Sequence, residues 1–197
     1  MEYLEALEKR RSIRNLNDQI SITEEEIIEL IKFNLKHAPS SYNSQSPKVL
    51  LLLGEKHKKF WDITLNKIKE IVNLDQFKKS EKKLLGFKNG YGTILFFDDL
   101  SITENLKEKY PLYKEKTQVY SEHNNAILQA NIWTSLAEKN IGASLQHYNE
   151  LVNDSLEEAF GVPKICRLIA QMPFGGIIDE PKPKQFLNTD DRIIVLK

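Results

Sequence analysis

Apolar and polar positions alternate along this chain in two rhythms. Over residues 24–35, Ile27, Ile28, Leu30, Ile31 and Leu35 recur at helical spacing. Ser21-Ile-Thr-Glu-Glu ahead of them supplies a capping residue and acids for the first turn, so a helix is predicted there. Tyr3, Leu4, Ala6 and Leu7 predict a shorter N-terminal helix by the same spacing. Val49 to Leu53 form an unbroken apolar run between Pro47 and Gly54, the pattern of a strand buried on both faces. Phe60, Trp61, Ile63, Leu65, Ile68, Ile71 and Val72 mark a long amphipathic helix over residues 55–72; aromatic residues at that spacing read as core rather than as a ligand box. Residues 75–88 are Lys-rich and predict a solvated helix with Phe77, Leu84 and Leu85 turned inward.

A second core strand is predicted over residues 93–97, ended by Asp98 and Asp99. Residues 119–139 then read as a helix with Ile127, Ala130, Thr134 and Ala137 on one face, flanked by Trp133 and Leu136. So broad an apolar surface suits a central helix or one at a subunit interface. A short strand follows Asn140, a helix spans 151–160 up to Gly161, a strand spans 166–172, residues 173–183 read as loop, and 193–196 form a last short strand. Strands interspersed with helices in this manner predict a single α+β domain over 1–197, with a mixed sheet and helices on both sides.

Composition narrows the class without naming it. A length of 197 residues at 41% hydrophobic is enough for one sizeable core. The 28 basic and 28 acidic residues cancel, so no global field recruits nucleic acid or an anionic membrane. Cys166 is the only cysteine, which rules out an internal disulfide and suits a reducing compartment. The first residues have neither the basic head nor the apolar run of a signal peptide, and no apolar segment approaches the ~20 residues of a membrane span. A cytoplasmic location is expected.

Candidate chemistry lies in three polar clusters. His37-Ala-Pro-Ser-Ser-Tyr-Asn-Ser-Gln-Ser-Pro47 offers Ser40, Ser41, Asn43, Ser44, Gln45 and Ser46 between two prolines. It is either a site for a ligand rich in neutral donors and acceptors or an ordinary surface connection. Lys9-Arg-Arg-Ser-Ile-Arg14 places Arg10, Arg11, Ser12 and Arg14 together. It is either a phosphate grip or a set of cations complementing a helix C-terminus. Leu145, Gln146, His147, Tyr148 and Asn149 are either a ligand-facing segment or a satisfied histidine and two amides at the mouth of a loop. Asp98 and Asp99 do not read as a metal pair, because consecutive side chains at a strand end diverge and no histidine is near in sequence. His37, His57, His123 and His147 are too dispersed for a metal set, Cys166 reads as a small hydrophobe, and no dinucleotide, phosphate-loop, zinc-protease or hydrolase-elbow fingerprint is present.

The Arg10-Arg-Ser12-Ile-Arg14 and Pro39-Ser-Ser-Tyr-Asn43-Ser-Gln45-Ser-Pro47 segments, in this order, resemble the nitroreductase family of flavin-dependent oxidoreductases. Ser46 before the proline departs from the commonest pattern. It fits a branch that includes fungal proteins linked to fatty-acid repression, as do His57-Lys-Lys-Phe-Trp61, Gly90-Tyr-Gly-Thr-Ile-Leu-Phe-Phe97 and Gly142-Ala-Ser-Leu-Gln-His-Tyr-Asn149. The resemblance implies a mixed, largely antiparallel sheet in a homodimer that exchanges the C-terminal strand, with FMN as cofactor and no metal. It implies that Arg10, Arg11, Ser12 and Arg14 hold FMN, with Arg14 as an electrostatic tuner at the pyrimidine edge. Ser40, Ser41, Asn43 and Gln45 would meet the flavin from the partner subunit, Leu145, Gln146 or His147 would turn a backbone N–H to N5, and Arg192 would bind the phosphate. The implied activity is hydride transfer from NAD(P)H through the flavin to a nitroaromatic, quinone or similar acceptor in ping-pong order, with no catalytic side chain required. The alternatives are a flavin-binding redox-stress or lipid-signalling regulator with little turnover, or a protein that binds no FMN.

Overall fold

Every residue of β3 (Gly92–Asp99) is buried, and its side chains alternate between two apolar clusters, which makes it the strand around which the rest is built. In the computed structural model, which describes residues 2–197, Ile94 and Phe96 join Ala170, Met172 and Phe174 on one side. Leu95 and Phe97 join Leu168 on the other. β3 pairs antiparallel with β2 (Pro47–Leu53), from Pro47 opposite Asp98 to Leu53 opposite Gly92. On its other edge it pairs with β5 (Cys166–Ile177), with a register shift between Phe96 and Phe97. β1 (Leu16–Asn17) and β4 (Gly142–Ala143) also pair antiparallel with β5. The order is β1-β5-β3-β2, and a lone parallel bridge joins Ser12 to Ala143. This is the largely antiparallel α+β arrangement expected.

Helices cover both faces. α2 (Glu24–His37) and α6 (Thr117–Glu138) bury Ile27, Ile31, Leu128, Ile132 and Leu136 on one. α3 (Gly54–Ile71), α4 (Leu74–Lys88) and α7 (Asn149–Phe160) bury Phe60, Trp61, Leu84, Phe87 and Val152 on the other. Each such large side chain contributes roughly 1.5–3 kcal/mol of transfer free energy. α1 (Tyr3–Lys9) packs on α6, and α5 (Leu100–Lys109) follows β3. His57 and Trp61 on α3 are joined to Thr93 on β3: Trp61 Nε1 donates to Thr93 Oγ1 at 2.9 Å, and His57 Nδ1 lies 2.8 Å from that same hydroxyl. The two segments His57–Trp61 and Gly90–Phe97 therefore form one buried polar network. No helix among the described residues is long and apolar enough to cross a membrane.

Several elements differ from the expectation. Within the expected Ser21-Ile-Thr-Glu-Glu start of α2 the cap is Thr23: its Oγ1 accepts from the Glu26 N–H while the Glu26 carboxylate accepts from the Thr23 N–H, a reciprocal pair that fixes the first turn. β2 is the sheet's edge strand and is only partly buried, although Val49 and Leu51 reach one cluster and Leu50 the other. Leu85 and Ile71 are exposed, and Phe87 takes the inward position on α4 instead. β5 continues past Pro173, which sits opposite Thr93 and lends its carbonyl to the Ser144 N–H at 3.3 Å. On α6, Ile127 and Ala130 face outward while Leu128, Gln129 and Ile132 face the core. Residues 193–196 pair with no strand among the described residues; Ile193 has extended backbone and all four are exposed.

Asp98 and Asp99 are both buried and both structural. Asp99 accepts from Ser101 N–H at 3.0 Å, capping α5, and pairs with Lys48 Nζ at 2.5 Å. Asp98 accepts from Thr103 Oγ1 at 3.1 Å. The described residues hold no group of three or more His, Cys, Asp and Glu placed to bind a metal.

Candidate functional site

α1 ends at Lys9, and the chain then runs extended beside β4: the Ile13 N–H donates to the Ala143 carbonyl at 2.9 Å. Ile13 is buried, so its neighbours Ser12 and Arg14 project outward by strand alternation. The result is a cleft of about 560 Å³ lined by Arg10, Arg11, Ser12, Arg14, Asn15 and the 181–184 strap. Arg11 Nη2 donates to the Lys182 carbonyl at 2.7 Å and ties that strap down. The Arg10 guanidinium lies 4.4 Å from the Trp133 ring centroid. Partial burial, and then the neighbouring Arg11, lower the Arg10 pKa, and no carboxylate among the described residues forms an ion pair with it. Among the described residues Asp179 is the one acid on the cleft wall, and it accepts from Asn15 Nδ2 at 2.6 Å. The cleft's chemistry is that of an anion site.

The cleft continues past Arg14 into a groove of about 630 Å³ lined by Lys78, Lys79, Lys82 and Lys83 of α4. α4 reaches Arg14 through Gly86, where a Cβ would lie 2.7 Å from the Arg14 carbonyl oxygen. Read from sequence, these lysines are surface charge; Gly86 inside an otherwise good helix is the signal that something packs against it. Lys83 Nζ lies 5.4 Å from the Tyr148 ring, which brings α4 to the third polar cluster.

Within that cluster the backbone separates the candidates. The Gln146 N–H donates to the Gln171 carbonyl at 2.7 Å and the Gln171 N–H returns to Gln146 at 2.9 Å. The Gln146 side chain is also engaged, donating to Ser144 Oγ at 3.0 Å. By alternation the N–H groups of Leu145 and His147 turn away from β5, and neither finds a backbone or side-chain acceptor among the described residues.

The Ser40–Gln45 loop lies elsewhere. It lines a narrow pocket with Tyr110, Tyr113, Tyr120 and Asn124 and shares no wall with the arginine cleft. Tyr42, Asn43 and Gln45 have φ of 56°, 51° and 52°, a left-handed backbone uncommon outside glycine. Asn124 accepts from the Ser41 N–H and Oγ–H at 2.9 and 3.2 Å, and the Tyr42 ring stacks on Tyr110 at 4.2 Å. Arg192 sits in an exposed turn, Asp190–Arg192, and lines neither cleft. The structure thus brings Arg10, Arg11, Ser12 and Arg14 to one cleft and ties Ser12 to Ala143, two residues before Leu145, while neither 145–147 nor Ser40, Ser41, Asn43 and Gln45 line that cleft.

The model of the Nitroreductase family matches residues 7–176. The chain belongs to the nitroreductase family. Membership places it among oxidoreductases. It is 28% identical over 188 residues to nitroreductase FRM2 of Saccharomyces cerevisiae, covering 94% of this chain and 93% of that one, which agrees with the branch suggested by Ser46. Its fold matches the nitroreductase CinD from Lactococcus lactis, solved with chloramphenicol, at a TM-score of 0.91, 36% identity and full coverage of both chains. A nitroreductase structure from Saccharomyces cerevisiae matches with a TM-score of 0.78 at 27% identity, covering 89% of this chain and 96% of that one. For a nitroreductase-family chain, a cleft lined by Arg10, Arg11, Ser12 and Arg14 has the chemistry to take a phosphorylated flavin.

Proposed function

We propose that this protein is a cytoplasmic, homodimeric, FMN-dependent oxidoreductase of one domain per subunit that uses NAD(P)H to reduce nitroaromatic, quinone or similar acceptors. The observation that carries the reading is the arginine cleft itself, with Arg10 short of a counter-charge among the described residues and Ser12 bridged to Ala143, two residues before Leu145. Bound FMN would supply the electron-carrying chemistry, accepting a hydride from NAD(P)H and passing it to the acceptor in the same pocket. Arg10, Arg11 and Ser12 would hold the phosphate and ribityl chain, and Arg14 would place a fixed cation at the pyrimidine edge. Because the Gln146 N–H is committed to Gln171, the donor toward N5 would come from Leu145 or His147. CinD has been solved with 4-nitrophenol and with nicotinic acid as well as chloramphenicol, small aromatics of the kind the proposed pocket would take.

The dimer is supported by what a single chain leaves open. Ile127 and Ala130 on α6, Tyr3 and Leu4 on α1, and the apolar 193–196 tail are all exposed, and β2 is a free edge. A tail exchanged between subunits would cover such surfaces and deliver Arg192 to the phosphate, and a second subunit would bring the Ser40–Gln45 loop to a cleft its own chain does not share. The purified protein is expected to be yellow, to release FMN on denaturation, and to oxidise NADH or NADPH with 4-nitrophenol or a quinone, giving parallel double-reciprocal lines. A colourless dimer that takes up no added FMN would overturn the reading, and intersecting lines would overturn the ping-pong order.

A further inference from the structure

Three residues of the 40–45 loop hold the left-handed backbone, and two of them, Tyr42 and Gln45, are side chains that do not ordinarily adopt it. Such a conformation persists only where its surroundings over-determine it. None of the loop's residues from Ser40 to Gln45 is buried, and Tyr42, Asn43 and Gln45 are exposed, so core packing does not hold it. The hold comes from α6: Asn124, itself 3% exposed, accepts from both the N–H and the Oγ–H of Ser41 and donates from Nδ2 to Ser44 Oγ at 3.3 Å. Its three bonds bracket Tyr42 and Asn43. The next residue behaves differently, since Asn125 Nδ2 donates to the Phe97 carbonyl on β3 at 2.9 Å and serves the core. Asn124 spends all its side-chain bonds on the loop. The same helix carries Trp133, over which Arg10 lies, roughly 13 Å further along the axis at 1.5 Å per residue.

We propose that Asn124 is a positioning residue that holds the Ser41–Gln45 loop in the one conformation able to meet a flavin in the partner subunit, with Tyr110 supporting it through Tyr42. The proposal rests on the FMN reading above. α6 then sets the geometry of both halves of the shared site, clamping the loop through Asn124 and Arg10 through Trp133.

The test compares Asn124→Leu, Asn124→Asp and Tyr110→Leu by FMN titration of the apoprotein, by the visible circular dichroism of the bound flavin, and by apoprotein melting. Asn124→Leu is expected to raise the FMN Kd about tenfold or more and to change the flavin dichroism, with the apoprotein melting close to wild type. Asn124→Asp should recover most of the affinity, because its carboxylate still accepts both Ser41 bonds and the Ser44 hydroxyl can turn to donate. Tyr110→Leu should show a smaller rise of the same kind. Affinity within about twofold of wild type for Asn124→Leu, or no recovery with Asp, overturns the proposal. If Asn124→Leu does not fold, Tyr110→Leu decides, and unchanged FMN affinity and dichroism there overturn it. Wild-type apoprotein that binds no FMN defeats the cofactor reading itself, a result visible before any variant is compared.

Discussion

The guanidinium of Arg10 lies over the ring of Trp133, 4.4 Å from its centroid, so the first cation of the cleft is held by α6 rather than by its own segment. A flat ring behind a flat cation fixes its plane while leaving its donors free for an anion. Trp133→Leu keeps the apolar bulk and loses the stack, and FMN affinity should fall by roughly 1 kcal/mol. Arg10→Gln removes the charge-assisted bonds and should cost roughly 1.5–3 kcal/mol, with little change in flavin potential. Fluorescence titration of the apoprotein measures both. Equal losses would mean that Arg10 serves Trp133 and not the ligand.

Arg14 should behave in the opposite way. Its side chain stands between the arginine cleft and the lysine groove of α4, at the position the family pattern gives to the pyrimidine edge. Two-electron reduction of a flavin leaves negative charge at that edge, so a fixed cation there stabilises the reduced form more than the oxidised one. Arg14→Gln is expected to lower the midpoint potential and to slow reduction by NAD(P)H, with a smaller effect on FMN binding. The α4 lysines will moderate the shift. Dye-equilibration potentials that are equal for Arg10→Gln and Arg14→Gln would sink the division of roles.

Gly86 is where α4 meets that cation's backbone. A Cβ there would lie 2.7 Å from the Arg14 carbonyl oxygen, and the atom it meets is main chain. Neither partner can swing aside, so Gly86→Ala should destabilise the fold by roughly 1–3 kcal/mol despite alanine's better helix propensity. It should also move Arg14 and weaken FMN. A variant that melts at or above wild type would show that α4 is free to retreat.

How far the sequence carries depends on whether a residue's pattern reports its environment. β3 was legible because 94–97 is uniformly apolar and uniformly buried. α5 was not, since Leu100, Ile102 and Leu106 make too sparse a stripe over 100–109, although Asp99 ahead of Ser101 was a usable cap signal. Pro173 concealed the second half of β5 because a proline is normally a strand's end. The Arg10–Arg14 cluster could be named from its spacing, yet its attachment to the segment before Leu145 depends on the Ser12–Ala143 bridge, a long-range pairing that no local pattern encodes. Lys78 to Lys83 are solvated charge as their pattern indicates, whereas Asn124 reads like any polar helix position, because burial and proximity are properties of the folded chain and polar residues carry no periodic mark of either.

Arg192 tests the dimer through the cofactor. It stands in an exposed turn just before the apolar 193–196 segment, with extended backbone at Ile193. A tail seated on a partner would place this cation at the phosphate. Arg192→Ala should then weaken FMN retention by roughly 1.5–3 kcal/mol, and removing residues 185–197 should leave monomers by sedimentation. An unchanged flavin affinity would return Arg192 to the surface.

His57 makes stability depend on pH. Its ring is 1% exposed, and burial pushes its pKa down from 6.5 to about 4. The tautomer follows from its partners. Nε2 lies 3.0 Å from the Lys88 carbonyl, which can only accept, so Nε2 carries the hydrogen. Nδ1 then accepts from Thr93 Oγ1–H, and that hydroxyl's oxygen accepts from Trp61 Nε1. A second proton on the ring would force the Thr93 hydroxyl to accept at Nδ1 and cost it its own donated bond. Because the folded pKa is depressed, the neutral histidine contributes stability that is fully present above pH 6.5 and is lost as pH falls toward about 4. The loss approaches on the order of 3 kcal/mol once both states are protonated. Denaturant unfolding at pH 7 and pH 5 measures most of it, and His57→Gln should flatten that part of the profile while lowering stability at pH 7. A wild-type slope that persists in His57→Gln would assign the pH dependence to the carboxylates instead.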